Sequence, residues 1–268
     1  MEDKQKTGIF LTGGGGNGSF HIGAFKAFEQ YELKPDYVFG CSVGAIIAGA
    51  ATYLNADEMF EKWKDLTLES VFKVDSNKIN DLEGKKKTLK LYLECFKSCS
   101  KLDPHLMIEI EDIRKLLYKL LDGDKIKESN VDFGINTTLL PSLKMVNVWK
   151  EDMKTNPLEY ILASMYLPIF SRQKIIDNKS YMDLCRFRRY PLEVLKEKGC
   201  DRNIFINIEA HNINKVVKPM NDLYSEDETI FIDYEKKPSI LDFTEEQAKR
   251  NFQNGYDTTM KVLSKKIR

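Results

Sequence analysis

Ser42 stands in Gly40-Cys41-Ser42-Val43-Gly44, a G-x-S-x-G pattern. Small residues on both sides let a serine sit on a sharp strand-to-helix turn with its hydroxyl exposed, the posture of an acyl-transfer nucleophile. Upstream, the strand-like run Gly8-Ile9-Phe10-Leu11-Thr12 breaks into Gly13-Gly14-Gly15-Gly16-Asn17-Gly18. Such a loop offers backbone N–H groups that no side chain shields, and at a helix N-terminus these suit the oxyanion formed when a serine attacks an ester carbonyl. Together the loops point to a serine acyl hydrolase. Gly14, Gly15, Gly16, Asn17 and Gly18 would surround the oxyanion, and Gly40, Cys41, Val43 and Gly44 would shape the nucleophile's turn.

The glycine loop alone has a second reading, because Gly13, Gly15 and Gly18 also satisfy the dinucleotide fingerprint G-x-G-x-x-G. That fold needs an acid near the end of the second strand for the ribose hydroxyls. Here Tyr37-Val38-Phe39 runs into Gly40-Cys41-Ser42, and Asp36 lies at the strand's other end. Acyl transfer therefore ranks above nucleotide binding and above a glycine turn without chemistry.

The order and spacing of Gly13 to Gly44 resemble the patatin-like phospholipases, whose N-terminal pattern is a strand, a G-G-G-x-[RK]-G loop, a helix, a second strand and G-x-S-x-G. Ala163-Ser164-Met165-Tyr166-Leu167-Pro168-Ile169-Phe170 resembles that family's Ser-rich segment ending in Pro-x-F. Tyr181-Met182-Asp183 followed by Pro191 resembles the region of its D-G-[GA] motif. The likeness covers residues 7–210, with 55–130 and 211–268 agreeing only in general character. There are two departures: Asn17 replaces the usual arginine or lysine, and Leu184-Cys185 follow Asp183 in place of glycines. The first removes a charge beside the loop and leaves its backbone donors, while the second alters how Asp183 is presented.

The resemblance implies a single α/β domain over residues 1–268, a three-layer sandwich on a mainly parallel sheet, with residues 211–268 adding a strand and a helix. It also implies a Ser-Asp dyad, Ser42 as nucleophile and Asp183 as base, acting through an acyl-enzyme on lipid carboxylic esters such as phospholipids or lysophospholipids. Neither metal nor cofactor enters that mechanism. A hydrolase of the ordinary α/β type would instead use Ser, Asp and His in that order, which leaves a triad through His211 open; His21 and His105 read as structural. A relative that has lost activity at Asn17, Leu184 and Cys185, kept as a lipid-binding or interaction module, is the alternative from another class.

Composition bounds the rest. The length of 268 residues allows one large α/β core. Forty-one basic and 41 acidic residues balance, so no bulk field recruits nucleic acid or an anionic surface. Met1 to Lys6 run straight into a strand without an apolar signal region, and no stretch reaches the roughly 20 apolar residues of a spanning helix. The expectation is a soluble, cytoplasmic protein whose membrane contact is local. Cys41, Cys95, Cys99, Cys185 and Cys200 are scattered without C-x-x-C or histidine neighbours, so no metal site is expected, and Cys41 and Cys185 read as small buried hydrophobes.

The elements that must position the serine alternate. Helices are expected over residues 19–31, 43–53, 56–66, 86–100, from Pro104 to Gly123, and over 157–166, 191–198 and 243–263. Strands are expected at 132–137, 144–149, 172–176, 180–183 and 203–208, which with the two N-terminal strands is βαβ logic and a parallel sheet. Residues 84–101 carry six lysines against one glutamate with Leu89, Leu93 and Phe96 on one face. A solvated face is the plainer reading, and a helix lying on lipid the sharper one.

Overall fold

The run Thr7–Leu11 forms β1, in which Ile9 and Leu11 join one apolar cluster and Phe10 joins another. A strand apolar on both sides must be covered on both, the condition of a parallel sheet. The computed structural model describes residues 5–67, 70–71, 109–167, 173–183, 190–209, 220–235, 240 and 242–266. After β1 come a 3-10 turn at Gly15–Asn17, α1 (Gly18–Gln30), β2 (Tyr37–Cys41), α2 (Val43–Ala51) and α3 (Ala56–Trp63). Then follow α4 (Ile110–Leu120), α5 (Gly123–Glu128), β3 (Asp132–Leu140), β4 (Lys144–Trp149) and α6 (Pro157–Ser164). The chain continues through β5 (Ser180–Met182), α7 (Val194–Glu197), β6 (Arg202–Asn207), β7 (Thr229–Asp233) and α8 (Glu245–Lys266).

The strand order is β4-β3-β2-β1-β6-β7, with β5 off this path on β3. The pairs β1–β2, β1–β6, β2–β3 and β6–β7 are parallel, whereas β4 and β5 run antiparallel to β3. The larger cluster, with Ile22, Ile47, Trp63, Leu117 and Ile161, covers one face of the sheet; Tyr190, Leu192, Leu195 and Tyr224 cover the other. This is the expected three-layer α/β architecture on a mainly parallel sheet. From β1 the chain goes to β2 on one side while β6 lies on the other, so the loops leaving β1 and β6 diverge, the position at which open α/β sheets build ligand crevices.

Several boundaries differ from expectation. The helix expected to end at Gly123 stops at Leu120, and Gly123 instead begins α5, because the Asp122 side chain accepts hydrogen bonds from Asp124 N and Lys125 N and caps a new helix. No strand covers the described part of 172–176; Ile176 makes a single bridge to Lys179. The short helix α7 occupies only Val194–Glu197 of the expected 191–198. The strand anticipated within 211–268 is β7, whose Ile230 and Ile232 continue the larger cluster. Residues 86–100, the lysine-rich segment, Pro104, His105, Pro168 to Phe170, Leu184, Cys185 and His211 lie outside the described residues. No described helix is long and apolar enough to cross a membrane.

Helix α8 packs directly on α1. A Cβ on Gly23 would collide with the Phe252 carbonyl, and one on Gly255 with the Phe20 carbonyl, so the two backbones touch where each helix presents a glycine.

Candidate active site

Strand β2 ends at Cys41, and Ser42 then takes φ 55° and ψ −125° before α2 begins. Positive φ is strained for any residue with a Cβ and persists only where the surroundings impose it. Two features impose it here. A Cβ on Gly40 would collide with the Gly44 carbonyl and one on Gly44 would crowd the Leu11 carbonyl, so the turn closes only with glycine at both places. The Ser42 N–H donates to Ser164 Oγ at 3.0 Å, and the Ser164 hydroxyl donates to the Asn136 carbonyl at 2.6 Å. Ser164 closes α6, and Thr137 Oγ1 donates to the Ala163 carbonyl at 2.6 Å, so the end of α6 is stitched to β3 at the level of the turn.

Register brings Asp183 to the same level. On one edge of β3, Cys41 of β2 pairs with Asn136. On the opposite edge, β4 sets Val146 against Thr137 and Met145 against Thr138. Met182 of β5 also pairs with Thr138, so β5 occupies the edge that β2 vacates at the turn. The two strands run toward each other, their last pairs standing two β3 residues apart at Asn136 and Thr138, and Ser42 and Asp183 are the next residue of each. The Asp183 N–H donates to the Tyr166 carbonyl at 2.7 Å. Burial pushes the Cys41 thiol well above its ordinary pKa, and the nearby carboxylates of Asp183 and Glu209 push it further. Cys41 is therefore a neutral, fully buried thiol within the apolar cluster, as expected of it.

The glycine loop divides into two parts. Gly16 N–H donates to the Ile240 carbonyl at 2.8 Å, Asn17 N–H to the Gly14 carbonyl at 3.2 Å, and Gly18 N–H to the Gly15 carbonyl. Among the described residues the N–H groups of Gly13, Gly14 and Gly15 have no protein acceptor. Gly15 sits at φ +55° and lines a cavity together with Ser42. Of the five residues expected around an oxyanion, Gly14 and Gly15 thus keep open donors, and Gly16, Asn17 and Gly18 give theirs to the fold. Asn17, at the position of the basic residue in the motif, is fully buried. A charge there would carry a large desolvation cost; the neutral amide instead accepts from Asn251 Nδ2 of α8 at 3.4 Å.

The cavity opens to solvent, and the free space within and above it amounts to about 660 Å³. Beyond Ser42 and Gly15 its walls are apolar, among them Ile46, Trp63, Leu117 and Phe243. Helix α4 supplies one wall because Ile113, Leu116, Leu117 and Leu120 fall on one helical stripe. The space suits a hydrocarbon chain that ends at the serine. His21 is buried, its Nε2 lying 3.0 Å from the Thr12 carbonyl, and burial lowers its pKa to about 4, so it is a neutral structural residue at physiological pH. Among the described residues no three His, Cys, Asp or Glu side chains converge as metal ligands would.

Three contributors escaped the sequence. Ser164 lies in the segment that resembles the family's Ser-rich one, but nothing in that pattern ties it to the Ser42 turn. Glu209, only 7 % exposed and accepting from Tyr190 Oη at 2.8 Å, follows an ordinary apolar strand. Asn251 carried a readable signal: α8 buries Gln247, Asn251 and Thr259 along one stripe, and polar residues on a buried stripe imply partners beneath them.

The chain is similar to several known proteins, and one solved structure shares this architecture. VipD from Legionella pneumophila matches over 98% of this chain and 67% of its own, with 16% identity and a TM-score of 0.55. The type III effector protein ExoU matches over 98% and 53%, with 15% identity and a TM-score of 0.45. Lysophospholipase NTE1 of Cryptococcus neoformans is 40% identical over 45 residues, a stretch that is 17% of this chain and 3% of that protein. The model of the family described as "Patatin-like phospholipase" matches residues 9–183, a span that begins inside β1, crosses both glycine-bearing loops and closes at Asp183; the chain belongs to that family.

Proposed function

We propose that the protein hydrolyses carboxylic esters of lipids, phospholipids or lysophospholipids, with Ser42 as nucleophile and Asp183 as its base. Family membership supports a lipid hydrolase in general. The observation that supports the finer reading is the end-to-end approach of β2 and β5 on one edge of β3, each ending one residue short of Ser42 or Asp183, with Ser42 lining an apolar cavity.

In this mechanism an acyl chain lies in the cavity with its ester carbonyl at the Ser42 turn. Ser42 Oγ attacks the carbonyl carbon while Asp183 takes the hydroxyl proton. The negative charge passes to the carbonyl oxygen, which the N–H groups of Gly14 and Gly15 receive at the start of α1, where the helix dipole favours an anion. The tetrahedral intermediate collapses, the proton goes to the leaving alcohol, and a water repeats the sequence to release the fatty acid. Loss of one oxyanion donor typically costs about a hundredfold or more in rate.

The purified protein should hydrolyse p-nitrophenyl butyrate and lysophosphatidylcholine and should be labelled by a fluorophosphonate. Ser42→Ala should do none of these while keeping its thermal midpoint. Hydrolysis retained in that variant overturns the reading, and a folded wild-type protein that neither hydrolyses nor labels is a binding module instead.

A further inference from the structure

A loop with five glycines in six residues has little of its own to hold it, since glycine samples many backbone states freely. The groups that grip it come from beyond the part of the chain that matches the family, residues 9–183. The N–H of Gly16 donates to the Ile240 carbonyl at 2.8 Å. The carbonyl of Gly16 accepts from Asn251 Nδ2 at 3.5 Å, and the same Nδ2 reaches Asn17 Oδ1 at 3.4 Å. Both backbone groups of one glycine are thus tied to the segment that leads into and forms α8.

Asn251 is fully buried and its carboxamide is oriented from both ends. Its Oδ1 accepts from Tyr234 Oη and from Gln247 Nε2, each at 2.6 Å. A backbone carbonyl can only accept, so the amide group facing Gly16 must be the NH2 end. Tyr234 is fixed in turn by stacking on Phe20 with ring centroids 4.4 Å apart, and by accepting from Asn254 Nδ2 at 3.3 Å. The chain of bonds runs from β7 and α8 to the loop whose Gly15 lines the cavity with Ser42.

We propose that Asn251 is a positioning residue for the oxyanion loop, which makes α8 part of the hydrolytic apparatus. The inference rests on the serine-hydrolase reading above. Freed from Asn251, the Gly16 peptide can rotate, and with it Gly15, whose N–H must point at the developing oxyanion; a misplacement of about 1 Å costs about a hundredfold in rate.

Two variants test it. Asn251→Asp keeps the acceptor toward Tyr234 and Gln247 but, when ionised, has no donor for Gly16. Burial raises the pKa of the introduced carboxyl, and its protonated form regains an O–H donor. Its kcat on p-nitrophenyl butyrate relative to wild type should therefore be down at least about tenfold at high pH and recover as pH falls, across about pH 5 to 9, with KM within about twofold. The nearby titratable groups do not confound this. Burial pushes Tyr234 upward and His21 of α1 down to about 4. Tyr234→Phe keeps the ring on Phe20 and removes the bond that orients Asn251, together with the longer one from Asn254 Nδ2 on the more exposed side; its kcat should fall about three- to tenfold at unchanged KM, the cost of one lost hydrogen bond of about 1 kcal/mol. Should Asn251→Asp fail to fold, Tyr234→Phe decides alone. A kcat within twofold of wild type in Tyr234→Phe, or a loss in Asn251→Asp that does not vary with pH, overturns the proposal. If wild-type protein lacks Ser42-dependent hydrolysis, it is the hydrolase reading that fails.

Discussion

Replacing Ser164 by alanine removes one hydroxyl and unties the nucleophile's turn from the sheet. That hydroxyl accepts from Ser42 N–H and donates to the Asn136 carbonyl, and Ser164 itself is 1 % exposed, so no water takes its place easily. Ser42 is only half-buried, which puts the cost of its lost partner near the lower limit, about 1 kcal/mol, and the buried Asn136 carbonyl adds about 1–2 kcal/mol. The sum of about 2–3 kcal/mol corresponds to a fall of about 4–12 °C in thermal midpoint for a chain of this size. The kinetic effect should be larger in proportion. The positive φ of Ser42 is held in part by that bond, and on the proposed mechanism relaxation of the turn moves the hydroxyl away from Asp183 and from the N–H groups of Gly14 and Gly15. We expect kcat on p-nitrophenyl butyrate to fall at least about tenfold while KM stays within about twofold, the pattern of an interaction that matters in the transition state. The assay is a thermal melt beside a Michaelis-Menten series on the same preparation. A midpoint within about 1 °C of wild type together with unchanged kcat would refute the reasoning, since then neither the stability nor the strain resides in that bridge.

Asp183→Asn should lower kcat by several orders of magnitude in protein of near-native stability, measured by single-turnover acylation; retained rate removes Asp183 as base. Ile46→Trp should fill the cavity beside Ser42, so that kcat/KM for long-chain lysophosphatidylcholine falls at least about tenfold while p-nitrophenyl acetate is cleaved as before; equal losses on both would mean that the acyl chain lies elsewhere. His21 is held neutral with a folded pKa of about 4 against an ordinary 6.5, so the unfolded chain binds its proton first as pH falls. The stability linked to it, about 3 kcal/mol, is present above pH 6.5 and is lost between there and pH 4, a slope that His21→Leu should flatten in urea melts taken over that range.

The Ser42 turn and the glycine loop were legible because what shapes them is local. A serine on a sharp turn needs small neighbours within two residues, and a loop of bare backbone donors needs consecutive glycines, so a short window of sequence holds the signal. Asp183 needed more, since an acid at the end of a three-residue strand reads as an ordinary turn residue until β5 is seen on the edge of β3; only resemblance to a family singled it out. Boundaries failed where a cap overrode a pattern, as when Asp122 restarted a helix at Gly123 in place of a stop. Ser164 and Asn251 could not be assigned their roles from sequence, because what they do is satisfy backbone groups of residues far away along the chain, and the need for a partner arises only once those groups are buried. The charge on Asn17 was missing for the same reason: burial beneath α8 removes the room for one.

The placement of β5 also bears on how the protein loses activity. The parallel core strands are bonded on both sides and shielded on both faces, whereas β5 is a three-residue segment that rests on one edge of β3 beyond the end of β2. Such an appendage opens by local fluctuation at far lower free energy than the whole domain. Amide hydrogens of Ser180 to Met182 should therefore exchange well before those of β1 and β6, and activity should decline at denaturant concentrations where the core remains folded. Inactivation and unfolding should then be separable events, the turn bearing Ser42 outlasting the docking of β5 on β3.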